Sequence, residues 1–199
     1  LFLYSKLLYC FYFDSWYVTI FIRMKLLTLK IYLIFIYLIS SSTSYAIQQP
    51  KFKNLIVHKD PIKHKEIAFN NLYDETINLE NYKNFLVIIN FWATWCAPCR
   101  KEMPSLNRLQ SNSNFKNLRI FPINVGREEI SKSKKFYNDL KIDNLKIFID
   151  KKNILPNELS LIGLPTTILF NKEGKEFARI LGPIDFEDQK FIEWLKHFD

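Results

Sequence analysis

Apolar positions along the chain fall into blocks whose spacing changes from one stretch to the next. "FLVIINF" (Phe85–Phe91) and "LRIFPINV" (Leu118–Val125) are continuous apolar runs of strand length, rich in β-branched residues, and read as buried central strands. Between them Met103, Leu106 and Leu109 recur at helical spacing, which predicts a helix from Cys96 to about Ser111, with Pro104 expected to kink it. Upstream, "EIAFNNLYDETINLENYKN" takes short apolar steps around "YDET", the pattern of a hairpin followed by a single helical turn. Downstream, Glu128–Leu140 reads as a charged, exposed helix, Leu145–Asp150 as a short strand and "NILPNEL" as a helical turn or two. Leu164–Phe170 and Glu176–Leu181 flank "NKEG", a hairpin turning at Gly174. Asp185–Phe198 closes the chain as a helix with Asp185 as N-cap and Phe186, Phe191, Trp194, Leu195 and Phe198 available to pack inward.

Strands alternating with helices, then a hairpin and a last helix, predict an α/β domain: a central mixed sheet flanked by helices, with an N-terminal β-hairpin extension. That domain is expected over residues 66–199, after a polar, basic tether at 47–65 that carries Pro50 and Pro61. The first 46 residues differ. Residues 1–23 are crowded with aromatics and read as a mis-assigned upstream extension, with translation starting at Met24. From there Lys25 and Lys30 form a basic region, Ile31–Ile39 an apolar one, and Ser44-Tyr45-Ala46 a small-x-small cleavage signal. Residues 24–46 are therefore expected to act as a signal peptide or as a membrane anchor. Arg23, Lys25 and Lys30 interrupt the run of about 20 apolar residues that a spanning helix needs.

Composition alters this picture little. The 28 basic and 20 acidic residues leave a charge of +8, but the basic residues are spread along the chain and no nucleic-acid motif accompanies them. Solubility or attraction to an anionic membrane surface accounts for such a balance better than nucleic-acid binding.

Cysteine usage alters it more. With Cys10 in the leader, the exported chain holds only Cys96 and Cys99, in "NFWATWCAPCRKEMP" (Asn90–Pro104). One CxxC is no disulfide scaffold, and closing so short a loop restrains the unfolded chain little. A structural zinc wants four ligands, and His58, His64 and His197 do not cluster with the cysteines in sequence, so no metal is expected. A peroxidase reading is weaker still, because the motif is a dithiol rather than a lone peroxidatic thiol. At a helix start, unpaired N–H groups and positive dipole character favour a thiolate at Cys96. Cys99, at i+3, comes to the same side but deeper. Pro98 suits a first-turn position, where its missing N–H is no loss. Arg100 and Lys101 either add positive charge to the pair or form an ordinary solvated face. The spacing supports exchange: Cys96 attacks a substrate disulfide and Cys99 resolves the mixed disulfide.

"NFWATWCAPCRKEMP" followed by "GLPTTILFNKEGKEFARILGP" resembles the thioredoxin superfamily, most closely its exported TlpA/ResA-like thiol-disulfide oxidoreductases, from about Leu55 to the C-terminus. The resemblance implies a thioredoxin fold and a redox-active disulfide with no other cofactor. It implies that Leu164-Pro165 is cis, where the bond would otherwise be expected trans, and that Leu164 and Pro165 lie against the reactive sulfur and receive substrate. Trp95, Ala97 and Pro98 complete that substrate-binding surface. Trp92 forms an apolar wall or packs in the core, and Thr166 and Thr167 continue the strand. Ordinary thioredoxins carry a buried aspartate where this chain has Asn90. The TlpA/ResA-like group instead has a glutamate at the position of Glu102, which thereby becomes the proton acceptor or tuner for Cys99. The alternative is a first-turn glutamate favoured by the helix dipole.

The resemblance implies a periplasmic disulfide reductase, exported or anchored to the inner membrane and monomeric. Its partners would be envelope proteins with oxidised cysteine pairs, apocytochrome c or copper-site proteins, and a membrane electron donor. One rival is a DsbA-like oxidant, against which Ala97-Pro98 argues, since oxidants of that type carry a histidine there. The other is a copper-binding assembly factor using Cys96 and Cys99 as ligands.

Overall fold

The computed structural model describes residues 19–37 and 50–199, and the chain divides into two units, Leu1–Ala46 and Ile47–Asp199. In the first, residues 19–37 are helical (α1). No helix among the described residues is long and apolar enough to cross a membrane. The Ser44-Tyr45-Ala46 signal, Cys10 and the rest of residues 1–18 and 38–49 lie outside the described residues.

The second unit is a sheet of eight strands. In chain order they are β1 (Leu55–Ile62), β2 (Ala68–Asn71), β3 (Thr76–Asn78), β4 (Leu86–Trp92), β5 (Leu118–Asn124), β6 (Phe148–Ile149), β7 (Thr166–Phe170) and β8 (Glu176–Leu181). Their order across the sheet is β1-β8-β7-β4-β5-β6-β2-β3. Strand β4 runs parallel to β5 and antiparallel to β7, so the sheet is mixed. Helices α2 (Ala97–Gln110), α3 (Ile130–Leu140), α4 (Leu155–Glu158) and α5 (Gln189–Lys196) cover its faces. The expected hairpin is present as β2 and β3, followed by a 3-10 turn, Leu79–Tyr82.

Every residue of β4 is buried, which is why its sequence is apolar without alternation. The pleat still sorts the side chains. Leu86, Ile88 and Trp92 join the core beneath α2, α3 and α5, while Val87, Ile89 and Phe91 join the core on the opposite face. Asn90 therefore belongs to the α2 face. So does Thr167, its register partner on β7, whose neighbours Ile168 and Phe170 pack on the other side.

Several boundaries differ from those the sequence predicts. The segment expected as a tether contains β1, which pairs antiparallel with β8. The last helix is capped by Asp188, whose side chain accepts from Phe191 N, and not by Asp185, which accepts from Glu187 N in the preceding turn. Helix α3 starts at Ile130, and it is not wholly exposed: Ser133, Phe136 and Tyr137 are buried. The strand expected over Leu145–Asp150 shrinks to Phe148–Ile149. Helix α2 covers the range predicted for it and continues through Pro104, which cannot donate to the carbonyl four residues back.

Candidate redox site

Strand β4 ends at Trp92, and the chain turns through Ala93-Thr94-Trp95 into α2 with Cys96 as the N-cap. Cys96 N donates to the Ala93 carbonyl (3.2 Å), and the Cys96 sulfur accepts from Cys99 N at 3.2 Å. A cysteine thus occupies the place where Ser, Thr or Asp usually satisfies a free helix N–H, so a donor that favours a thiolate, Cys99 N, points at this sulfur. Cys96 and Cys99 form a disulfide, with Cα atoms 5.3 Å apart. Cys96 retains 4% of its surface and Cys99 none, so the outer cysteine is the accessible one. Trp95 is 67% exposed beside the pair, Ala97 is exposed and Pro98 half-buried. Arg100 is turned away to stack over the Phe136 ring at 4.7 Å. Trp92 is fully buried against Phe136 and Tyr137, in the same core cluster as Cys96 and Cys99.

The Leu164-Pro165 bond is cis. Because Thr166 lies opposite Phe91 in the β4–β7 register, Pro165 sits at the end of β4 from which the cysteine loop departs. Pro165 is buried, with its carbonyl held by Gly182 N at 2.9 Å. Leu164 is half-buried and Ile162 is 80% exposed, so an apolar lip precedes the cis bond.

Glu102 is 3% exposed. Asn90 Nδ2 donates to its Oε1 at 2.8 Å and Ile184 N to its Oε2 at 3.2 Å. Burial pushes its carboxyl up to about 7, and these two neutral donors only partly oppose the rise. Asn90 Nδ2 also donates to Thr167 Oγ1 at 2.9 Å, so three elements meet at one amide. Thr167 is thus more than a strand residue, and the alternation of β4 and β7 is the signal that would have paired it with Asn90. Glu128 was missed altogether: its carboxylate accepts from Thr94 N (2.8 Å) and Thr94 Oγ1, across a separation that no local pattern reveals. Among the described residues no group of three or more His, Cys, Asp or Glu side chains could hold a metal ion.

Residues 59–175 match the family model described as AhpC/TSA. The chain belongs to the AhpC/TSA family. This family member is 34% identical over 119 residues to the thiol-disulfide oxidoreductase ResA of Geobacillus kaustophilus, covering 59% of this chain and 67% of that protein. It is 33% identical over 110 residues to the thioredoxin-like protein YneN of Bacillus subtilis, covering 55% and 64%. Among solved structures it resembles StoA from Bacillus subtilis at 27% identity and a TM-score of 0.56, covering 67% of this chain and 98% of that one. A secreted thiol-disulfide isomerase from Corynebacterium glutamicum, at 24% identity, shares the fold with a TM-score of 0.59 over 77% and 98%. With these relatives and a disulfide at the start of α2, the chain is a thiol-disulfide oxidoreductase of the TlpA/ResA-like, thioredoxin-fold kind.

Proposed function

We propose that this oxidoreductase works as a reductase in the cell envelope, opening disulfides in proteins whose cysteines must be free before haem or copper is inserted. The observation that carries the assignment of roles is the pair itself: a Cys96 sulfur that accepts from the first-turn N–H of Cys99 on the one cysteine that keeps any exposure, and a fully buried Cys99 joined to it. The Cys96 thiolate attacks a substrate disulfide, forming the Cys96–substrate bond and releasing one substrate thiolate, which takes a proton from water. Cys99 then loses its proton to Glu102 and attacks the Cys96 sulfur, closing the Cys96–Cys99 disulfide and releasing the second substrate sulfur as a thiolate, which takes a proton from water. Two electrons pass from the dithiol to the substrate, and an external dithiol donor restores them. A carboxyl near 7 can take up and return that proton at neutral pH, which an ordinary carboxylate cannot do as readily. Trp95, Ala97, Pro98, Leu164 and Pro165 form the apolar surface on which the substrate segment lies. Export, through a cleaved leader or an uncleaved anchor at residues 24–46, is supported by the order of basic, apolar and small residues there.

Trapping on Cys99→Ser in cells tests this reading. Mixed disulfides should accumulate through Cys96 with apocytochromes or copper-site proteins of the envelope, and Cys96→Ser should trap nothing. Conjugates with cytoplasmic proteins, or trapping through position 99 in Cys96→Ser, would overturn it.

A further inference from the structure

The loop between β5 and α3 makes contacts with the cysteine loop that the exchange chemistry above does not use. Glu128 is half-buried there and makes no ion pair among the described residues. It does not cap α3 either, whose N-cap is Glu129, with no side-chain capping bond. Its carboxylate faces the other way: Oε1 accepts from Thr94 N at 2.8 Å and Oε2 accepts from the Thr94 hydroxyl. Asn124 Nδ2 reaches the same Oε1 at a long 3.5 Å, while bonding Ser133 Oγ on α3 at 2.7 Å. The turn that delivers the carboxylate is built for it. Gly126 N donates to Asn124 Oδ1 at 2.6 Å, and Val125 N to the Trp92 carbonyl at 3.0 Å. A Cβ on Gly126 would lie 2.3 Å from Glu128 Oε1 and 3.0 Å from the Ala93 Cβ, so only glycine leaves room for this arrangement. Arg127 follows at φ 56°, a left-handed conformation that completes the turn.

We propose that Glu128 is a positioning residue of the exchange reaction, clamping Ala93-Thr94-Trp95 ahead of Cys96 and placing a negative charge on the loop that leads to the attacking thiol. The proposal rests on the reading of Cys96 as that thiol. The other charges on the flanking elements are Arg100, Lys101, Glu102 and Arg108 on α2, Arg127 and Glu129 in the same loop, Lys132, Lys134, Lys135 and Asp139 on α3, and Asp185 after β8; Lys135 is paired with Asp139 and Arg108 with Glu187. Arg100 is engaged with Phe136 and Glu102 with Asn90 and Ile184. The Glu128 carboxylate is bonded directly to the cysteine loop, two residues before the sulfur. A carboxylate there opposes the Cys96 thiolate. Disfavouring the thiolate disfavours the dithiol form relative to the disulfide, so the pair becomes the stronger reductant. Helix-start donors pull the other way, and Glu128 offsets part of their effect.

Glu128→Gln in the 199-residue chain separates charge from shape, because the amide oxygen can still accept from Thr94 N. Its thiol alkylation curve should move to lower pH by roughly half a unit, and its equilibrium with dithiothreitol should shift roughly threefold toward the dithiol. Glu128→Ala should add about tenfold faster hydrogen exchange at the Thr94 amide. Gly126→Ala should reproduce that faster exchange by displacing the carboxylate. Should Glu128→Ala fail to fold, the Gln variant still reads the charge. A Gln variant whose alkylation curve and redox equilibrium both overlay the wild type overturns the proposal and leaves Glu128 a loop anchor. The redox equilibrium does not depend on which cysteine attacks. If alkylation falls first on Cys99, the division of roles fails while the shift in equilibrium still decides the part of Glu128.

Discussion

Glu102 on α2 and Glu176 on β8 are both buried carboxylates of the same domain, but they are met by different partners. Among the described residues Glu102 receives only an amide and a backbone N–H, and burial carries it up to about 7. Burial would raise Glu176 too. Hydrogen bonds from Arg179, His58 and His64, together with the Arg179 charge, outweigh that and hold it below the ordinary carboxylate value. Arg179 grips both oxygens (Nε to Oε1 at 2.6 Å, Nη2 to Oε2 at 2.9 Å), and His58 and His64 each donate to one, at 2.8 and 2.6 Å. A carboxylate that stays ionised accepts from every side and ties strands together. One poised near neutrality, like Glu102, holds neutral donors but no paired charge, and its proton is the easier to move. The two proton affinities part according to whether a cation came with the carboxylate.

Breaking the tie should produce the largest effect. Glu176→Ala leaves the Arg179 side chain, 15% exposed, without its counter-charge and frees both histidines of β1 and the turn after it. We expect a loss of about 3–5 kcal/mol in urea unfolding at pH 7. Because the folded carboxyl is depressed, its stabilisation is complete above the unfolded value near 4.5 and disappears as pH falls through the lower folded value. The cost of the mutation should therefore shrink in acid. A loss below about 1 kcal/mol at pH 7 would show that the cluster contributes no more than a surface pair does.

Glu102→Gln should act with the opposite sign. The folded carboxyl titrates near 7 and the unfolded one near 4.5, so below about 4.5 neither state is penalised. Stability is then lost as pH rises to about 7, reaching about 3 kcal/mol above it. The glutamine variant should be more stable than wild type by up to about 3 kcal/mol at pH 8 and show no such gain at pH 4, while reducing insulin more slowly. Equal differences at the two pH values would remove the titration argument.

The smallest effect sharpens the comparison at one hydrogen bond. Asn90→Ala removes one of the two donors to Glu102, and the carboxyl should rise further by about one pH unit, or about 1.4 kcal/mol. Carbon NMR titration of the Glu102 side chain measures it directly. An unmoved midpoint would leave burial as the whole cause.

Much of this was legible beforehand. The apolar runs of β4 and β5, the helical spacing of Met103, Leu106 and Leu109, and the hairpin around Gly174 are local patterns. The structure reproduces them to within a residue or two. Cys96 and Cys99 follow from three positions on one helix. The tether over 47–65 was misjudged because the alternation of β1 is weak and its polar residues look solvated. Of these, His58 and His64 in fact face a carboxylate more than 100 residues away.

The sequence by itself determined the central strands β4 and β5, the hairpin of β7 and β8, the helix that starts at the cysteines and the order of thiols on it, because periodicity and capping act between neighbours along the chain. Only the tertiary structure decided how the carboxylates behave. Glu128 finds Thr94 across 34 residues, Asn90 finds Thr167 across 77, and Glu176 finds His64 across 112. A carboxyl's proton affinity depends on the water removed from it and on the charges brought to it, and folding supplies both.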